Sequence, residues 1–381
     1  MKSRATPNQK PATAPVFRVE TSTRRLGRPA RGLGHGLVLA LGFLMTVVSS
    51  SAVLGDEVIL VPGSTVKQAI GGRVRGQIQT ESPTEVVVQV GAGPVSVPVE
   101  QIASIRYDGQ SASFQIAESR QTGGQLLEAI DLFHKAVGES TDKPLPLRAA
   151  LVREALALTE LALIEPDRAK DALDKLKAYI QKYPNSRQIT LARDALVRLQ
   201  LHTGDYAGAA STIAEIAKIP AAAERATVLK TKLLAKQGKF REAQGELDSL
   251  IAAAPKGSAR RGAAVLAKAE CMAGLKDYKL AESLAREVIL ESPPEDAEAQ
   301  APAYNTLGDC LRAANRPKDA LLAYLHTDLL YGKDRVEHPR ALHQIEVLFR
   351  QLKQDSRADE FAQRLKQEYP KSPWVSAKPD H

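Results

Sequence analysis

The sequence predicts a mainly α protein: a superhelix of stacked helical hairpins preceded by a small β barrel-like module. Three observations carry this expectation. From about residue 110 onward Ala and Leu recur at short intervals in a chain that is 44% hydrophobic but only 4% aromatic, a composition of packed helices rather than of a sandwich. Within that stretch Ala172, Ala209, Ala243, Ala281, Ala320 and Ala358 fall into one register, with separations of 34 to 39 residues, and a fixed period of that length marks repeat architecture. Before it, residues 56–107 read as short β-branched runs broken by Gly and Pro. With 381 residues the chain is long enough for more than one core.

The first segment, residues 1–55, reads as a signal peptide or a membrane anchor. It holds eight basic side chains (Lys2, Arg4, Lys10, Arg18, Arg24, Arg25, Arg28, Arg31) against one acid, Glu20. The formal +8 of the whole chain is therefore almost entirely N-terminal, the body from Asp56 onward is close to neutral, and nucleic acid is not expected as a partner. An apolar run at residues 37–48 is followed by small residues up to Ala52, the order of an export signal. Val53 and Gly55 satisfy the small-x-small pattern, so cleavage is expected before Asp56, giving a periplasmic or secreted protein. The pair Arg24-Arg25 leaves a twin-arginine route open. The alternative is an uncleaved anchor spanning residues 33–54, facing the scaffold outward from the membrane. No Cys follows the apolar run, so a lipid anchor has no attachment residue.

The second segment, residues 56–109, is the β module. Strands are expected at residues 58–61, 73–79, 85–90, 95–99 and 102–107, with turns at Pro62-Gly63, Ser82-Pro83 and residues 91–94. The run Gly72-Arg73-Val74-Arg75-Gly76-Gln77-Ile78, then Val86-Val87-Val88, then an Ile102-x-x-Ile105 ending resembles SH3-like or Sm-like small barrels. RNA binding as in the Sm family would need basic and aromatic groups facing the ligand. Arg73, Arg75, Arg106 and Tyr107 are a thin set, and a small adaptor or packing module is the expectation.

The third segment, residues 110–373, is the array, followed by a tail at 374–381. Its clearest unit reads Tyr304-x-x-Leu307-Gly308-x-x-Leu311, then Asn315, then Ala320-x-x-x-Tyr324. This resembles the tetratricopeptide repeat, with Tyr where the family usually carries Trp. Twelve residues beyond the register alanine the family expects Pro, and Pro184, Pro255, Pro293 and Pro370 stand there, with Pro220 one residue early. Tyr206, Phe240 and Tyr278 supply the aromatic of the inter-helix turn, and Gly204 and Gly238 the small turn residue, which the last three units lack. A small Ala lets paired helices approach, and Pro ends the second helix so that the chain can turn. A seventh, degenerate unit is expected at residues 111–139, giving about seven hairpins. Tyr183-Pro184-Asn185-Ser186 and Tyr369-Pro370-Lys371-Ser372 resemble the Tyr-Pro-x-Ser endings of bacterial envelope proteins of this family, which agrees with export.

No catalytic constellation stands out. The seven histidines are scattered without metal spacing, and there is no phosphate loop, nucleophile elbow or Cys/His dyad, so neither an enzyme nor a cofactor is expected. Cys271 and Cys310 lie 39 residues apart at matching places in successive repeats, a helix-packing distance too long for a disulfide, and read as buried small hydrophobes. Function is then expected in the groove that the resemblance assigns to the first helix of each hairpin. In the clearest unit the inward stripe is Pro302, Asn305, Asp309 and Arg312, and the same register gives Asp194 and Arg198, Arg225 and Lys232, Leu266 and Glu270, then Arg340, His343 and Arg350. Such a groove is polar with a mild basic excess, suited to a protein or extended peptide carrying carboxylates. The Lys and Asn set of the family's carboxylate clamp is not complete here. Another possibility is a binding subunit of a cell-envelope hydrolase, which would expose aromatics along the groove, whereas the one Trp, Trp374, lies outside the array.

Overall fold

The computed structural model describes residues 55–377; the export or anchor segment lies outside the described residues. Five strands, β1 (Asp56–Leu60), β2 (Arg73–Glu81), β3 (Glu85–Val90), β4 (Gly93–Pro98) and β5 (Ile102–Arg106), form an antiparallel sheet in the order β4-β3-β2-β1-β5. Period-two alternation sets its buried face. Val58 pairs with Val74 and Ile105, Val86 with Val97 and Val88 with Val95, and all seven side chains are buried. At Gly76 the strands run so close that a Cβ would stand 2.1 Å from the Gln89 carbonyl oxygen, so only glycine fits. The buried Asp56 carboxylate accepts from the backbone N–H of Ile78 (2.7 Å) and of Asp108 (2.9 Å), tying the first strand to the second and to the exit of the sheet.

Fourteen α-helices follow in seven hairpins: α1 (Ala112–Thr122) with α2 (Leu126–Gly138), α3 (Pro144–Ala162) with α4 (Ala169–Lys182), α5 (Ile189–Thr203) with α6 (Tyr206–Ala217), α7 (Ala223–Lys236) with α8 (Phe240–Ala253), α9 (Ala259–Gly274) with α10 (Tyr278–Glu291), α11 (Ala297–Ala313) with α12 (Pro317–Leu330), and α13 (Glu337–Gln351) with α14 (Asp355–Glu368). All six register alanines lie in second helices and are fully buried. Pro184, Pro255, Pro293 and Pro370 stand just past the ends of α4, α8, α10 and α14, and Tyr206, Phe240 and Tyr278 open α6, α8 and α10. Pro144 begins α3 and so marks the boundary after the first hairpin, at a position where a missing N–H costs nothing.

In six of the seven hairpins the tight turn uses a left-handed residue, while the α3/α4 turn passes through a 3-10 turn at Pro166–Arg168. Gly124, Gly204 and Gly238 supply it in three hairpins; in the last three, where glycine is missing, Lys276 (φ 65°), Asn315 (φ 59°) and Lys353 (φ 58°) adopt the same conformation. Gly308 answers a different need. A Cβ there would lie 2.6 Å from the Tyr324 ring, so the Leu-Gly pair exists to let α12 press its tyrosine against α11.

The sheet and the first hairpins share one core, in which Val58, Val88 and Ile105 join Phe114, Phe133 and Ala150. A buried polar knot fastens them. Glu81, with no exposed side-chain surface, accepts from Tyr107 (2.6 Å) and from Arg148 of α3, and lies 3.8 Å from Arg187 beyond α4. Gln188 in turn donates to the Tyr107 hydroxyl (3.3 Å).

At the other end the array returns to its start. Arg335, between α12 and α13, donates twice to the carbonyl of Gly124 between α1 and α2 (2.7 and 3.2 Å), and Lys371 pairs with Glu165 (3.1 Å) and Asp167 (3.4 Å). One apolar cluster holds Leu126, Leu158 and Leu196 together with Leu342, Leu365 and Tyr369. Along this seam neither α13 nor α14 packs lengthwise on α1 to α5, as consecutive helices do everywhere else.

Candidate functional site

Closing the array encloses a cavity of about 980 Å³. Most of its wall comes from first helices: Gln121 of α1, Glu160 of α3, Arg198 of α5, Arg225 of α7, Glu270 of α9 and Pro302 of α11 line it, with Leu126 of α2, Val288 of α10 and residues 333–337 at the seam.

Of the residues assigned to the groove from sequence, Arg198, Arg225, Lys232 and Glu270 line the cavity, with Leu266 and Pro302 between them. Asp194 is buried behind the wall, where it accepts from Arg225 Nε (2.5 Å) and pairs with Arg198 Nε (3.1 Å), fixing both guanidiniums. The structure places the others away from the cavity. Asn305 is fully buried: its Nδ2 donates to the Glu337 carbonyl (3.0 Å) and carboxylate (2.7 Å), and its Oδ1 accepts from Thr327 (3.0 Å). Asp309 accepts from Tyr324 (2.5 Å) and pairs with Arg340, which also reaches Glu337 (3.2 Å). Half-buried Arg312 contributes charge beside Tyr324. His343 is buried with its ring 5.5 Å from that of Trp374, and Arg350 pairs with Glu346 (3.2 Å) and Asp359 (2.9 Å) within its own hairpin.

The stripe thus begins a turn earlier than the sequence register placed it. On α11 it runs through Glu298 and Pro302 and then dives inward at Asn305; on α9 it begins at Arg260. Extending the three-and-four spacing one turn toward the N-terminus of α11 is the signal that would have found Glu298, four residues before Pro302, whereas Glu224 and Arg260 fall outside that spacing. Glu160, Asp334 and Arg335 carried no such signal, because closure alone brings them to the wall.

The expected basic excess is overturned. Seven acidic and six basic side chains line the cavity, and the cations are largely engaged: Arg198 and Arg225 with Asp194, Arg260 with Glu224 (2.7 Å), Arg335 with Gly124. Burial holds the carboxyls of Glu160, Glu270 and Asp334 above their ordinary range, reinforced by neighbouring carboxylates: Glu298 acts on Glu160, Glu337 on Glu270, and both on Asp334. Glu270 is itself exposed to the cavity, and the upward direction of its carboxyl comes from the density of protein around it.

Cys271 and Cys310 are buried free thiols, pushed up by burial to about 11 and about 12 respectively. Among the described residues no group of three metal-ligating side chains is placed to hold a metal, and no helix is long and apolar enough to cross a membrane.

One family model and several solved structures are similar to this chain. The family model described as Tetratricopeptide repeat matches residues 342–372, which span most of α13 and all of α14. No curated protein matches the chain. Among solved structures, a tetratricopeptide repeat protein from Parabacteroides merdae ATCC 43184 is 14% identical over 67% of this chain and 91% of its own, with a TM-score of 0.45. The apo form of the quorum sensor NprR from B. thuringiensis is 12% identical over 67% of this chain and 74% of its own (TM-score 0.48). PilW, a type IV pilus biogenesis factor, is 16% identical over 55% of this chain and 90% of its own (TM-score 0.39). The match identifies the last hairpin as a tetratricopeptide repeat, and the six hairpins before it repeat the same helix–turn–helix unit.

Proposed function

We propose that this protein is an exported, non-enzymatic scaffold that holds a segment of a partner protein in the cavity enclosed by its first helices. Tetratricopeptide arrays serve protein interaction, and the observation that carries the finer reading is the cavity itself. At about 980 Å³ it stands at the upper end of the roughly 300–1,000 Å³ typical of ligand pockets, which suits a short extended peptide. Its lining mixes fixed charges of both signs with apolar patches such as Leu266 and Val228, so the fitting segment is polar and of mixed charge rather than acidic. Export rests on the basic and apolar order of residues 1–55, and the mature chain is proposed to begin at or near Asp56.

The test is crosslinked recovery of partners from cell-envelope fractions, with N-terminal sequencing of the recovered chain. Ala263→Trp and Ala299→Trp each project a large ring into the cavity, and Arg350→Glu is the control outside it. Loss of a recurrent partner by tenfold or more in both Trp variants, with the control unchanged, supports the scaffold. Equal recovery from all four proteins refutes cavity binding. An intact N-terminus in the membrane pellet replaces the cleaved form by an anchored one.

A further inference from the structure

We infer that the seam between the first and last hairpins is a gate, and that opening it is how a partner segment enters the cavity. The inference rests on the cavity-binding function proposed above and adds how that site is controlled. First helices line most of the cavity, and residues 333–337 at the seam bridge its two ends. A free chain end can be threaded into such an enclosure. A segment with folded protein on both sides cannot, and enters only where the ring parts.

The seam is built to part. Every other junction joins consecutive helices packed along their length, whereas here no helix of the last hairpin packs along one of the first and the polar contacts join regions more than 200 residues apart. In a solenoid each hairpin's core is completed by its chain neighbours, so parting the ends leaves the other junctions intact. The polar contacts of the seam are of a separable kind. Arg335 grips one backbone carbonyl, that of Gly124, and its guanidinium lies 5.4 Å over the Tyr369 ring; Lys371 reaches Glu165 and Asp167 across an exposed edge. Partly exposed ion pairs are weakened by salt. The apolar share of the seam, Leu126 with Leu342 and Tyr369, supplies the closing force, and the polar contacts set the register in which it closes.

The experiment reads the distance across the seam by electron–electron resonance between spin labels at Gln125→Cys and Val336→Cys, both exposed positions. The native thiols, buried and held protonated, are replaced by Ala to keep the background silent. A single short distance at low salt, with a longer population that grows with salt and rises about tenfold in Arg335→Ala/Lys371→Ala, is the expected result. One short distance under all conditions, in a variant whose helical content is unchanged, overturns the gate. The second arm bridges the same two cysteines with a bismaleimide and repeats the partner recovery. Because Val336 itself lines the cavity, recovery lost on bridging but kept when each cysteine carries an unlinked maleimide supports gated entry. Recovery unaffected by bridging overturns the gate while leaving the cavity as the binding site, and recovery insensitive to Ala263→Trp and Ala299→Trp sinks the scaffold reading instead.

Discussion

Gly308 illustrates how a single missing side chain sets the spacing of two helices. In an exposed helix interior Gly→Ala gains roughly 1 kcal/mol from propensity. Here the added methyl would collide with the Tyr324 ring, whose hydroxyl is anchored on Asp309, so the ring has nowhere to go. Gly308→Ala is therefore expected to destabilise by about 1–3 kcal/mol of overpacking, measured by urea denaturation, and a gain in stability would refute the close-approach argument. Charge in the cavity makes the opposite kind of prediction. Glu270's folded-state carboxyl sits above its ordinary value, burial being the main cause, with Glu337 adding to it and Lys232 and Arg340 opposing. A raised folded pKa in an acid means that the folded state binds the proton more tightly. Ionisation then costs stability as pH rises from the unfolded value through the folded one. Glu270→Gln removes that cost: the variant should melt higher than the parent at pH 7, and the gap should close on acidification below the unfolded value. A gap independent of pH would show that the carboxylate is not the cause.

Hairpin turns were more legible than their chemistry suggested. The positions of the turns follow from the alanine and proline register, and the absence of glycine in the last three units was visible in the sequence. What was not visible is that the turn geometry persists without glycine, with Lys276 and Lys353 carrying the left-handed conformation themselves. For an L residue other than Asn or Asp that conformation costs roughly 1–2 kcal/mol, and glycine returns part of the gain as unfolded-state entropy, roughly 0.5–1 kcal/mol. Lys276→Gly and Lys353→Gly should each stabilise the protein by up to about 1 kcal/mol in urea melts, while Asn315→Gly should be nearly neutral because Asn tolerates the same backbone. Stabilisation by all three to the same extent would place the cost elsewhere than in the turn. The repeats were legible because each hairpin imposes the same local demands: a small residue where helices cross, an aromatic at the turn, a proline at the exit. The strands of the β module were found for a related reason, since alternation at Val86, Val88, Val95 and Val97 is a local pattern. The groove residues were found only in part, because the side of a first helix that faces the cavity depends on the curvature accumulated over all seven hairpins, which no single repeat encodes.

At the scale of the whole molecule two long-range devices bracket the array: the seam at its end and the polar knot of Glu81, Tyr107, Arg148 and Arg187 at its beginning. Neither had a sequence signal, since Glu81 and Arg148 come from different folding patterns and look like ordinary surface charges. Burial lowers the Arg148 guanidinium from its usual value, with Arg187 adding to it, and Glu81 is the carboxylate that pairs with it at the junction. Glu81→Gln keeps the shape but leaves two guanidiniums without their carboxylate at a buried junction, where breaking one partner of an ion pair costs about 3–5 kcal/mol. In a globular core such a loss would spread to every element. In a solenoid it should stay near its source, because each repeat is held mainly by its neighbours. Hydrogen exchange of Glu81→Gln is thus expected to accelerate in β2, β5 and α3, which meet at the knot, while α9 to α12 keep the protection of the parent. Uniform acceleration through α12 would mean that the closed ring, joined to the knot through Lys371 and the loop holding Glu165 and Asp167, makes the array unfold as a single cooperative unit rather than repeat by repeat.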